Sequence, residues 1–143
     1  MNAHTSCLCL FLAATLVQAA EKITPGPKGG RLLDNDPPRA EFFVEEDRTV
    51  TITFYDKDLK PVAASEQVVT ATAEAPTGKV KLDFEKKGDV LVSKAPLPAG
   101  DGYKVVVQLK ANADAKPKNF RIPLILETCG GCNRPEYACI CGH

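Results

Sequence analysis

From Ala40 onward, apolar and polar residues alternate in short runs separated by turn residues. Phe42 to Val44 is apolar and is followed by the polar turn Glu45-Glu46-Asp47-Arg48. Val50, Ile52 and Phe54 then alternate with Thr49, Thr51 and Thr53, a period of two with β-branched residues on both faces, which predicts a strand. Val68 to Ala73 predicts another, ended by Pro76-Thr77-Gly78. Val80, Leu82 and Phe84 alternate with charged residues. Lys87-Gly88-Asp89 turns the chain into Val90 to Val92. Tyr103, Val105, Val107 and Leu109 form one apolar face, and Phe120, Ile122, Leu124 and Leu126 complete the series. Pro123 cannot donate to a ladder and predicts an edge position or a bulge for this last strand. No segment carries an apolar 3.6-residue period. The Ala-rich stretch from Val62 to Ala75 is assigned to strand by Val68, Val69, Thr70 and Thr72.

About seven strands at this spacing predict an all-β fold, an immunoglobulin-like β-sandwich over residues 40–127. Ile52, Val107 and Ile122 are the expected core. Residues 20–39 hold four Pro and three Gly between Ile23 and Arg39 and predict an extended arm without regular structure. Residues 128–143 form a Cys-rich tail.

The N-terminus reads as a cleavable signal peptide over residues 1–19. Leu8 to Val17 is apolar apart from Thr15, and Val17-Gln18-Ala19 offers a cleavage site after Ala19, with Ala20 as the alternative. The apolar run is shorter than the roughly 20 residues a bilayer requires. Its n-region lacks Lys and Arg. The expectation is an exported protein, periplasmic or secreted, with no membrane span after cleavage.

Charge adds an exclusion. The chain has 18 basic and 18 acidic side chains and no Trp, so nothing draws it to nucleic acid or to an anionic membrane. Cysteine is more telling. Of six, Cys7 and Cys9 lie in the signal segment and the other four are Cys129, Cys132, Cys139 and Cys141. The body from Ala20 to Thr128 has none, so no internal disulfide holds it.

The tail spacing is C-x2-C-x6-C-x-C, with His143 two residues beyond. Two close thiolate pairs can close around one tetrahedral ion such as zinc, or fewer sulfurs around copper(I). Gly130 and Gly131 allow a tight wrap, Pro135 suits a reversal, and His143 is a candidate substitute for one sulfur. Two other readings fit the same residues. An even Cys count in an exported chain also reads as disulfides. Cross-pairing between the two pairs is then easier than a strained Cys139–Cys141 bridge. A redox-active Cys129–Cys132 pair is the third reading, although such pairs usually sit at a helix N-terminus, and none is predicted here. Asp56 and Asp58 lack the rest of a calcium loop and read as a hairpin turn. With one histidine after the signal segment and neither a catalytic triad nor a phosphate loop, the expectation is not an enzyme.

Pro25-Gly26-Pro27-Lys28-Gly29-Gly30-Arg31-Leu32-Leu33, a strand with Glu41, Val50 to Asp56 and Lys60-Pro61-Val62 together resemble a small exported β domain. That GPxGG-type domain occurs in bacterial heavy-metal efflux adaptor proteins and related secreted proteins. Its usual opening is Gly-Pro-His-Gly-Gly, and Lys28 here stands in place of the His. The resemblance covers residues 25–65 and implies a bacterial envelope location, an envelope protein partner and a link to metal handling. It supplies no metal ligands, since the cysteine tail lies outside it.

Overall fold

The computed structural model describes residues 22–142. Residues 1–21, which include the expected signal segment, and His143 lie outside the described residues. Ten strands follow in chain order: β1 Thr24–Pro25, β2 Arg31–Leu32, β3 Arg39–Val44, β4 Val50–Tyr55, β5 Pro61–Val62, β6 Val68–Ala75, β7 Gly78–Lys87, β8 Val90–Ser93, β9 Tyr103–Lys110 and β10 Lys118–Leu124. The only helical turn among the described residues is a 3-10 turn, η1, at Glu136–Ala138. No helix of the described residues is long and apolar enough to cross a membrane.

Every pairing is antiparallel, and the strands run in the order β1-β2-β3-β4-β8-β7-β6-β9-β10, with β5 beside β4. The fold is all-β, as the alternation predicts, in the form of one curled sheet. The strand that carries the curl is β7. Its first half pairs with β6, Gly78 opposite Ala75 through Asp83 opposite Thr70. Its second half pairs with β8, Phe84 opposite Ser93 through Lys87 opposite Val90. Turn chemistry cannot reveal such a strand, because one uninterrupted run serves two neighbours in succession.

The curl closes over a single core. Phe42, Ile52 and Phe54 from one half and Ala71, Ala73, Val105, Val107, Ile122 and Leu124 from the other belong to one buried cluster. The three residues named from the alternation, Ile52, Val107 and Ile122, have no exposed surface. Val80 departs from the pattern and is 38% exposed. Since β8 pairs only with the far half of β7, Val80 has a strand on one side only. β10 pairs with β9 alone, so Pro123 sits on an edge strand.

The Pro/Gly-rich arm carries more structure than its composition suggests. β1 pairs with β2, and β2 pairs with β3 through Arg31 opposite Phe42. Between them the chain reverses, with Gly26 N–H donating to Gly30 O at 2.9 Å and Gly29 at φ 101°. Two glycines are required by contact. A Cβ on Gly26 would lie 2.2 Å from the Glu41 carboxylate, and one on Gly30 would lie 2.2 Å from the Phe42 carbonyl oxygen. Farther along, Asp34 Oδ2 meets Lys118 Nζ of β10 at 2.5 Å.

Candidate metal centre

After β10 the chain passes through Ile125 and Glu127 and folds back on them. Thr128 bridges to Pro135, Glu136 N–H donates to Glu127 O at 2.8 Å, and Tyr137 N–H donates to Ile125 O at 3.1 Å. Within this reversal lies the first cysteine pair. Cys129 N–H donates to Arg134 O at 2.7 Å and Asn133 N–H to Cys129 O at 2.9 Å. Asn133 takes φ 55°, a left-handed conformation that Asn tolerates better than most residues. Of the two glycines between Cys129 and Cys132, Gly131 is the constrained one. A Cβ there would lie 2.8 Å from Cys141 Sγ, whereas Gly130 faces open space.

The tail is seated by η1 rather than hung from the sheet. Tyr137 is buried, its ring meets Phe42 edge-on at 5.6 Å and 88°, and its hydroxyl oxygen accepts Val44 N–H at 3.1 Å. Ala138 is fully buried, and both residues belong to the core cluster. Cys139 follows at once, its N–H donating to Glu136 O at 3.1 Å. The second pair is thereby delivered to the first by packing on the core.

The four sulfurs of Cys129, Cys132, Cys139 and Cys141 lie within 4.8 Å of one another. Cys129 Sγ is 3.8 Å from Cys141 Sγ, and Cys132 Sγ is 3.8 Å from Cys139 Sγ. A tetrahedral site with metal–sulfur bonds of about 2.3 Å has sulfur–sulfur edges of about 3.8 Å. Cys129 Sγ and Cys139 Sγ are nearer, at 3.0 Å. None of the four is at the ~2.05 Å of an S–S bond. Cys129 and Cys139 are buried, Cys132 is half-buried and Cys141 is exposed.

Backbone amides aim at the sulfurs. Cys141 N–H points at Cys139 Sγ at 3.4 Å. The amides of Ile140 and Arg134 point at Cys132, and the Ile140 contact is the main reason its thiol lies below the usual range. The crowding acts the other way on the second pair. The Cys129 contact pushes the Cys139 thiol up to about 12, and the same neighbour raises Cys141. Cys139 and Cys141 are thereby held toward their protonated forms, and Cys132 is drawn toward its thiolate.

The other candidates fall where the sequence put them or beyond view. Asp56 Oδ1 accepts the amides of Asp58 at 2.8 Å and Lys60 at 2.9 Å, the geometry of a hairpin turn. His143, the fifth candidate ligand, lies outside the described residues. A second polar feature escaped the alternation altogether. Glu41 is fully buried on β3, on the face away from the core. Its Oε1 accepts Gly30 N–H at 2.7 Å and Lys28 N–H at 3.0 Å, and its Oε2 accepts Tyr55 O–H at 2.6 Å. The Gly-Pro-Lys-Gly-Gly run is therefore a cradle of backbone amides around one carboxylate. The signal for it was present in the close glycine spacing beside a strand that carries an unpaired acid. Lys28 itself turns outward, its Nζ 2.7 Å from Glu45 Oε1 and 4.7 Å above the Phe43 ring. Comparison with protein-family models, curated proteins and solved structures found no match for this chain.

Proposed function

We propose that this protein binds one soft metal ion, zinc in preference to copper(I), through Cys129, Cys132, Cys139 and Cys141, and does so outside the cytoplasm. The carrying observation is the convergence of four sulfurs within 4.8 Å, two pairs of them at the edge length of a zinc tetrahedron. Copper(I) is satisfied by fewer sulfurs, so four convergent thiols favour zinc. A shell of four protein ligands leaves no open position for a reacting water, and this supports a binding role rather than an enzymatic one. The export reading rests on the apolar N-terminal run and its Ala19 cleavage site. An accessory role in envelope metal handling, with a protein partner there, rests on the resemblance of residues 25–65 to the GPxGG-type domain. We read the curled sheet as a variant of the immunoglobulin-like sandwich in which β7 passes from one face to the other.

The test is metal analysis beside thiol titration on native protein purified without reductant. The expected result is about one equivalent of zinc per chain, the stoichiometry of one four-ligand site. Cys132→Ser is expected to abolish it, since three sulfurs cannot close the tetrahedron. His143→Ala is expected to leave it nearly unchanged, because four sulfurs suffice. Metal-free protein without reactive thiols, and with a mass lowered by the hydrogens lost in two bridges, would replace this reading with a disulfide-stapled, non-catalytic interaction module.

A further inference from the structure

The Gly26–Gly30 cradle and the cysteine tail lie at opposite ends of the sequence and touch one another. Arg134 follows the first cysteine pair by two residues. Its carbonyl accepts the Cys129 amide at 2.7 Å, and its guanidinium Nη1 donates to Gly26 O at 3.3 Å. Gly26 O is also the carbonyl that closes the cradle, accepting Gly29 N–H at 3.2 Å. Two further contacts run parallel to this one. Tyr137 grips β3 through Phe42 and Val44, and Phe42 is the immediate neighbour of Glu41. Ile23 and Arg31 of the arm line a groove together with Glu136 and Tyr137 of the tail. The arm and the tail are thus docked on the same strand and on each other.

We propose that occupancy of the cysteine site controls the docking of the N-terminal arm, an inference that rests on the metal-binding reading above. The six-residue loop from Cys129 to Arg134 carries Arg134 toward Gly26. Two backbone hydrogen bonds, Cys129 N–H to Arg134 O and Asn133 N–H to Cys129 O, run within it. Metal binding ties the loop's two sulfurs, Cys129 and Cys132, to those of Cys139 and Cys141, so the free energy of ligation goes into fixing the chain that presents Arg134. The position of the guanidinium then favours the closed Gly26–Gly30 turn, and with it the amide contacts to Glu41. Loss of the metal loosens the turn and exposes the Glu41 carboxylate and the Tyr55 hydroxyl. Coupling of this kind is reciprocal. Whatever factor metal adds to arm docking, arm docking adds to metal affinity, and such factors run from about 5-fold to 150-fold.

The experiment uses the full chain, loaded with zinc or stripped by chelator under reductant. It reads hydrogen exchange at the Lys28 and Gly30 amides and tryptic cleavage after Lys28. Both are expected to speed up at least about 5-fold on stripping, the low end of measured couplings. Arg134→Ala retains all four sulfurs. It is expected to bind zinc more weakly by the same factor and to show arm exchange that no longer depends on zinc. Gly26→Ala changes only the arm, where the added Cβ meets the Glu41 carboxylate, and is also expected to weaken zinc binding. Should Gly26→Ala fail to fold, Arg134→Ala decides alone. A chain that takes up no zinc overturns the metal reading and the coupling with it. Zinc uptake with unchanged exchange at Lys28 and Gly30 overturns the coupling only.

Discussion

Glu41 is buried to the same degree as Ile52, yet it faces away from the core and is solvated entirely by protein donors. Replacing it by Ala would leave the Lys28 and Gly30 amides and the Tyr55 hydroxyl without their acceptor. At about 1–3 kcal/mol for each orphaned donor, Glu41→Ala is expected to lower unfolding stability by about 3 kcal/mol or more. Glu41→Gln, which keeps one accepting oxygen, should lose less, and urea denaturation of the two variants checks the order. Tyr137 makes a different demand. Burial above all, helped by the charges of Glu41 and Glu45, moves its phenol from 10.0 up to about 12. Burial and the Glu41 hydrogen bond raise Tyr55 as well. In both cases the fold favours the neutral phenol. The associated stability is therefore complete below pH 10 and is lost as pH rises toward and through 12. Denaturant midpoints are expected to hold level from neutral pH to about 10 and to fall beyond it, and Tyr137→Phe should fall less steeply.

At the scale of elements, the first cysteine pair sits in the reversal from Thr128 to Pro135, and the second follows η1 directly. Because metal must displace protons from thiols that the cluster holds, apparent zinc affinity is expected to drop as pH is lowered below neutral. A competition titration with a chromophoric chelator at several pH values checks this, and an affinity independent of pH would contradict the four-thiolate site. The position of η1 also changes what the tail means for the fold. In the sequence the tail stands out only by its cysteines. In the structure, Tyr137 and Ala138 are core residues, since a tyrosine two positions before Cys139 reaches Phe42. Removing residues 129–143 is therefore expected to destabilise the body by about 3–5 kcal/mol, the range for losing a large buried aromatic. Thermal or urea unfolding of the truncated chain would show it.

The molecule as a whole is one curled sheet around one cluster, so damage on either half should be felt in a single transition. Ile52→Ala on β4 and Ile122→Ala on β10 are each expected to cost about 2–5 kcal/mol, and both should unfold cooperatively. Two separate transitions in either variant would mean that the halves joined by β7 fold as independent units. The same unity brings the chain's described ends together. Arg134 reaches Gly26 across 108 positions of sequence and Tyr137 reaches Val44 across 93.

The strands β3, β4 and β6 to β10, the edge character of β10, the hairpin at Asp56 and the grouping of the four tail cysteines were legible in the amino-acid sequence. Each depends on neighbours a few residues away. Alternation says which face of its own strand a side chain takes, and C-x2-C or C-x-C spacing says which sulfurs can share a turn. The same information does not say what covers a face. Glu41 alternates outward and would be solvated on an open sheet, but the Gly26–Gly30 turn, 11 and 13 positions away at its donors, encloses it. Spacing leaves the two cysteine pairs open to bridges, a redox site or a metal shell, and it does not say whether the pairs meet. Their relative placement came from Tyr137 and Ala138 docking on β3 and the core. Tertiary structure decided these points because burial is a property of the segment that arrives from elsewhere in the chain, and local pattern carries no record of that arrival.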